Sequence, residues 1–191
     1  MLFIVHHPSL LIGYSFLQNI IIMPVIKDID RTKVFNHIEK DIHKKGFRID
    51  KQDRMRPWGG FLVIDESQAP LFIKTYFPHL SVADFAGYKK LSPKILIVAP
   101  HKRLSWQYHF RRAEIWKLIA GTAGVVISDT DAETMVQKLN IGSIVNLRQG
   151  ERHRLVGLDD WGIIAEIWQH TDPANPSDED DIVRLQDDFG R

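Results

Sequence analysis

Apolar residues along this chain recur at two different periods, and the change of period divides it. Over 32–45, Val34, Phe35, Ile38 and Ile42 fall on one face of a helix. Asp30 or Thr32 stands where a helix start is capped, and Gly46 where a helix ends. Lys40, Lys44 and Lys45 take the solvent side or the negative end of its dipole. From Gly59 onward short apolar stretches predict strands over 60–66, 70–77, 94–99, 104–110, 114–121, 123–129, 135–140, 143–148, 153–158 and 161–169. Gly, Pro, Asp and Asn interrupt them about every ten residues, the rhythm of a sandwich or barrel. No helical period is long enough for βαβ units. Residues 77–93 read as a polar insertion with a short helical turn. The last twenty or so residues, with Pro173, Pro176 and a run of acids, read as an extended tail laid over the barrel with the acids in solvent.

Composition narrows the choices. The 191 residues suffice for one domain with its own core. Twenty-five basic and 24 acidic residues nearly cancel, so there is no basic footprint for nucleic acid. There is no cysteine, which excludes disulfides and thiolate metal sites. The apolar stretch 10–26 is broken by Gln18, Asn19 and Pro24 and is short for a membrane span. No Lys or Arg precedes Lys27, and no small-residue cleavage site follows, so a secretory signal is not read there. Residues 1–22 are expected to be a dispensable or mis-assigned extension ahead of Met23, residues 23–55 a helical segment, and 56–191 the barrel with its tail. A cytoplasmic protein without membrane contact is expected.

Chemistry concentrates in the string from Ser105 to Gly121. Gln107 and His109 are two apart, so on a strand they share a face. Glu114 follows after four residues and Gly121, expected at a tight turn, after six more. Far downstream come Gly142, Gly150 and His153. This two-part spacing resembles the cupin signature, although Gln107 stands where most cupins carry a first histidine and Arg148 where they carry a proline. The resemblance implies an all-β jelly-roll barrel (a double-stranded β-helix) with a short N-terminal helix. It also implies one divalent metal ion on Gln107, His109, Glu114 and His153.

Four further strings narrow the resemblance. RPWGGF at 56–61, LSWQYHFRRAEIW at 104–116, AEIWQ at 165–169 and EDDIVRLQDDFGR at 179–191 occur in the order seen in type II mannose-6-phosphate isomerases. In that family the isomerase domain often follows a mannose-1-phosphate guanylyltransferase domain. No Gly-rich nucleotide loop precedes RPWG here, so a stand-alone isomerase domain is expected. Phe110, Arg111 and Ile115 stand where the family commonly has histidines. The resemblance implies interconversion of mannose 6-phosphate and fructose 6-phosphate, with zinc as the usual metal. Manganese, cobalt or iron would suit the same nitrogen and oxygen donors.

Moving a proton between neighbouring carbons builds negative charge on a carbonyl oxygen, which a cation stabilises. Arg112, two residues before the glutamate, is the expected catalytic electrostatic group. Ser105, Lys102 and Arg103 are the expected phosphosugar contacts, Ser105 on the face of Gln107. The general base stays open among a metal-bound hydroxide, Glu166 and Lys117. Arg184 and Asp187 are expected to pin the tail. A homodimer through sheet edges is expected. A binding module without turnover, an isomerase of a heptose phosphate, and an oxygenase or epimerase on the same barrel are the competing readings.

Overall fold

A computed structural model describes residues 30–190. Helix α1 (Arg31–Lys44) buries Val34, Phe35, Ile38 and Ile42, the stripe the periodicity predicts. Asp30 takes the N-cap position, but its side chain makes no capping bond. Gly46, at φ 86°, turns the chain out of the helix. Arg31 ties the helix start to the next hairpin by donating to the carbonyls of Arg54, Arg56 and Gly59.

That hairpin is β1 (Ile49–Arg56) and β2 (Gly59–Ile64). β1 is largely polar and exposed, so its strand character does not appear in the apolar pattern. Residues 70–77, expected as a strand, instead belong to helix α2 (Ala69–Tyr76). Ala69, Phe72, Ile73 and Tyr76 form its buried stripe, and Pro70 sits in the first turn, where its missing N–H costs nothing. A short apolar run is compatible with either state, and packing against α1's neighbours decides it. The 77–93 insertion does contain one short helical turn, Val82–Phe85.

The remaining strands are β3 (Lys94–Val98), β4 (Trp106–His109), β5 (Arg112–Ser128), β6 (Gln137–Lys138), β7 (Ile144–Leu147), β8 (Arg152–His170) and β9 (Ile182–Gln186). Two of them are long. β5 merges the expected strands 114–121 and 123–129, and β8 merges 153–158 and 161–169. The two long strands pair antiparallel from Arg112↔His170 to Ser128↔Arg152. Each half then recruits different neighbours. The half containing Glu114 and Glu166 continues into β7 on one side and β3, β2 and β1 on the other. The half containing His153 continues into β6 on one side and β4 and β9 on the other. The result is two antiparallel sheets joined by bent strands, a jelly-roll barrel.

The bend falls at Gly121 and Gly162, which are paired, with a register shift just after. Gly121 therefore lies inside a strand at a bulge, not in the tight turn expected. Its φ is 71°, and a Cβ there would lie 1.7 Å from the Trp161 carbonyl oxygen. Two cores follow from the alternation of β3. Ile95 and Ile97 face outward, into a cluster with α1, α2, Ile115, Ile163 and Ile167. Leu96 and Val98 face inward with Trp116, Leu118, Val125, Leu155 and Ile164. Both faces of β3 are covered, which is why its sequence reads as an unbroken apolar run apart from Lys94.

The tail is less loose than expected. β9 pairs with β4 over Trp106↔Gln186 to His109↔Ile182 and so forms the sheet's last strand. Asp181, expected in solvent, is 4% exposed. No helix among the described residues is long and apolar enough to cross a membrane. The expectation for residues 1–22 lies outside the described residues.

Candidate metal centre

The two-residue alternation on β4 puts Gln107 and His109 on one face, as the sequence predicts, and both are buried. Gln107 pairs in register with His153 on β8, which adds a third inward side chain to the same sheet. Glu114 arrives from the other sheet, two residues into β5. His109, Glu114 and His153 offer ligand atoms that all lie within 4.8 Å of one another. His109 Nε2 is 3.3 Å from Glu114 Oε1, and His153 Nε2 is 3.5 Å from Glu114 Oε2.

The tautomers suit metal binding. His153 Nδ1 donates to the Glu151 carbonyl at 2.9 Å, and His109 Nδ1 faces the Asp181 carbonyl at 3.4 Å. Each bond leaves the Nε2 lone pair turned to the centre, the usual support for a metal-bound histidine. Burial pushes His109 down to about 3 and lowers His153 too, outweighing the pull of the Glu114 charge, so both rings are neutral. Burial opposes the charge of Glu114, yet the Arg112 guanidinium, by its charge and its hydrogen bond, holds the carboxyl at about 2. Glu114 Oε2 and His153 Nε2 are buried with no hydrogen-bond partner. Two orphaned acceptors 3.5 Å apart are costly unless a cation lies between them. The donor set of two imidazoles, a carboxylate and an amide fits a divalent ion.

Gln107 needs one adjustment. Its Oε1 accepts from Ser105 Oγ at 2.5 Å, and its Nε2 faces His109 Nε2 at 3.5 Å. A half-turn of the amide brings the oxygen to the cluster and leaves Nε2 beside Ser105. Ser105, expected as a sugar contact, therefore holds the amide, though it also lines the adjoining cavity.

Arg112 is buried and heavily committed. It donates to Glu114 Oε1 at 2.6 Å, to Ser177 Oγ at 2.8 Å and to the Asp178 carbonyl at 3.1 Å. Its Nη2 lies 3.1 Å from His109 Nε2, and the guanidinium stacks 3.5 Å from the Trp168 ring centroid. It lines the cavity and carries positive charge to the cluster's edge.

The cavity beside the cluster holds about 550 Å³ of empty space, counting its open mouth. Its walls include Arg56, Lys94, Glu166 and Arg184. Lys102 and Arg103 are not among them. Lys102 is exposed, and Arg103 is paired with Asp188 at 2.7 Å on the outside of the barrel. Lys117 also points away, donating to the Tyr76 carbonyl. Glu166 is the base candidate that faces the cavity. It sits between Lys94 and Trp116 in register and accepts from Trp116 Nε1 at 2.9 Å. Burial, then the nearby Glu114 charge, raise its pKa well above the usual carboxylate range. Lys94 and Glu166 were visible in the sequence as charges falling in phase with inward apolar positions of their strands.

The positions that depart from the family's histidines lie away from the cavity. Ile115 packs in the outer core, Phe110 is exposed against Tyr108, and Arg111 binds the tail at Asp178. Arg148, in place of a proline, closes its turn by pairing with Glu151 and Asp129.

The family model described as mannose-6-phosphate isomerase C-terminal matches residues 71–187. The chain belongs to that family. As a member of the mannose-6-phosphate isomerase C-terminal family it is 28% identical to the alginate biosynthesis protein AlgA of Pseudomonas aeruginosa, covering 98% of this chain and 34% of AlgA. It is 26% identical to a mannose-1-phosphate guanylyltransferase of Salmonella montevideo, covering 89% of this chain and 28% of that protein. The chain thus spans about a third of the length of these curated relatives. Among solved structures, the oxalate decarboxylase of Bacillus subtilis superposes with a TM-score of 0.50 at 14% identity, covering 71% of this chain and 30% of that one. That likeness concerns the cupin fold alone.

Proposed function

We propose that this chain is a metal-dependent aldose–ketose isomerase of a phosphorylated sugar, with mannose 6-phosphate and fructose 6-phosphate as the substrate pair. The observation that carries the reading is the pair of orphaned buried acceptors, Glu114 Oε2 and His153 Nε2, beside a cavity that also presents a carboxylate of raised pKa. His109, Glu114 and His153, joined by Gln107 after its amide turns, would hold the ion. A bound divalent ion supplies Lewis-acid stabilisation of charge developing on a sugar oxygen.

The chain's own groups do the rest. Glu166 takes the proton from the carbon next to the carbonyl and returns it to the neighbouring carbon, so the C–H bond lost at one position is regained at the other, while the hydroxyl proton passes from one sugar oxygen to its neighbour through the enediol. Its raised pKa suits a base that must also act as an acid. Arg112 adds positive charge at the edge of the site, and Trp116 fixes the Glu166 carboxyl by its indole N–H. Trp58, Phe61, Leu96 and Trp168 line the cavity and keep water from the transferred proton.

A coupled assay on the zinc-loaded protein, run across hexose and heptose phosphates with and without chelator, tests this. Turnover that chelation abolishes and zinc restores is expected. Glu166→Gln should lower kcat by roughly 10²-fold or more with little change in KM. Absence of turnover on every sugar phosphate in metal-loaded protein would reject the isomerase.

A further inference from the structure

Around the cavity, charges come with partners. Arg112 has Glu114 at 2.6 Å and Arg56 has Asp53 at 2.8 Å. Arg184 is the exception among the described residues that line the cavity with a guanidinium. Its side chain makes no hydrogen bond or ion pair among the described residues; its Nε is buried without a hydrogen-bond acceptor, as is that of Arg56, which keeps its ion pair with Asp53. Lys94 likewise has no carboxylate within bonding distance, and its ammonium lies against the rings of Trp168 and Phe61. Glu179 also lines the cavity and acts on Lys94 through space, as does Glu166, so Lys94 is partly compensated. Arg184 is left without a contact ion pair among the described residues.

Position strengthens the point. Arg184 on β9 is registered opposite Gln107 on β4, so both side chains leave the same face of the sheet. It therefore reaches the cavity from the row that carries the candidate ligands. The buried Nε lacks an acceptor while the rest of the guanidinium is only partly buried, and an anion arriving in the cavity would supply that acceptor. The planar fork of arginine suits two phosphate oxygens at once.

We propose that Arg184 is the anion anchor of this cavity, taking the phosphate of the sugar phosphate by paired N–H donation, with Lys94 adding positive charge from β3. The terminal strand then does more than close the sheet, because the substrate's phosphate is held by it. The inference rests on the proposed function only for the sugar that carries the phosphate.

Calorimetric titration of the zinc-loaded full chain with inorganic phosphate, mannose 6-phosphate and mannose tests it. Wild type should bind mannose 6-phosphate at least about 10-fold more tightly than mannose, since charge-assisted paired bonds are lost with the phosphate. Arg184→Gln should remove that preference and weaken inorganic phosphate by a similar factor. Arg184→Lys should retain part of it, which covers the case in which the glutamine variant does not fold. Lys138→Gln, on the exposed β6, should behave as wild type. Wild-type phosphate binding in both Arg184 variants, or no preference for the phosphorylated sugar in wild type, would overturn the anchor. Phosphate-dependent binding without turnover would sink the isomerase and leave the anchor standing. Turnover that is indifferent to Arg184 would do the reverse.

Discussion

Asp181 accepts from the backbone N–H groups of Phe110 and Arg111 at 3.1 and 3.0 Å and from Ser177 Oγ at 2.6 Å. Burial works against its charge, but these donors hold its pKa below the ordinary value. It closes the turn between β4 and β5, the turn that sets His109 against Glu114, and it does so from the tail. Asp181→Ala strands those donors and should cost about 1–3 kcal/mol in a urea titration. The expected pins, Arg184 and Asp187, left this residue out, because a string of four acids gives no sign of which one turns inward. His109 supplies a second test at this scale. Folding holds it neutral down to about pH 3, and His153 is lowered as well, whereas both take up protons near 6.5 once unfolded. The unfolded chain binds more protons below that point, so the contribution is full above pH 6.5 and is lost as pH falls toward about 3. Denaturant midpoints of metal-free protein should therefore drop on acidification below pH 6.5, and His109→Asn should make the drop shallower. A midpoint independent of pH over that window would contradict the buried neutral imidazoles.

Elements were legible in the sequence where burial on two faces or a clean period left a mark. α1 announced itself by the Val34, Phe35, Ile38 and Ile42 stripe, and β3 by its apolar run. β1 left no such mark because it lies at a sheet edge with half of its residues exposed and none buried. α2 was misread because eight residues hold barely two helical turns, too few to separate a helix from a buried strand. Its Phe72 is fully buried against Phe47 and Tyr76, so Phe72→Ala should destabilise by about 3–5 kcal/mol in the same urea experiment. The interruptions at Gly121 and Gly162 looked like strand ends. They are bends within two continuous strands, forced by the close approach of backbone to backbone at Gly121. Gly121→Ala should be poorly tolerated, since it meets both a left-handed φ and the Trp161 carbonyl, and loss of soluble folded protein on expression would register it.

At the scale of the whole molecule, the two bent strands explain why ligands distant in sequence converge. Gln107, His109 and His153 come from one sheet and Glu114 from the other, so the candidate centre bridges the gap between sheets. The resemblance to the cupin signature implied these four; alternation on β4 fixes the shared face of Gln107 and His109 locally, whereas His153 joins them only through the pairing of β8 with β4. Arg184, Lys94 and Glu166 were not assembled from the sequence into one cavity, since that depends on β9 pairing with β4 and β3 pairing with β8. Lys102 and Arg103 were drawn toward the site by closeness in sequence, yet the strand carries the ligands inward only from Ser105 onward. The account stands on four side chains meeting around one cation. Zinc titration of the metal-free chain by calorimetry tests that most directly. One equivalent should bind to wild type, and His153→Ala and Glu114→Gln should each weaken it by at least about 10-fold. Zinc binding unchanged in both variants, or no stoichiometric binding in wild type, would contradict it.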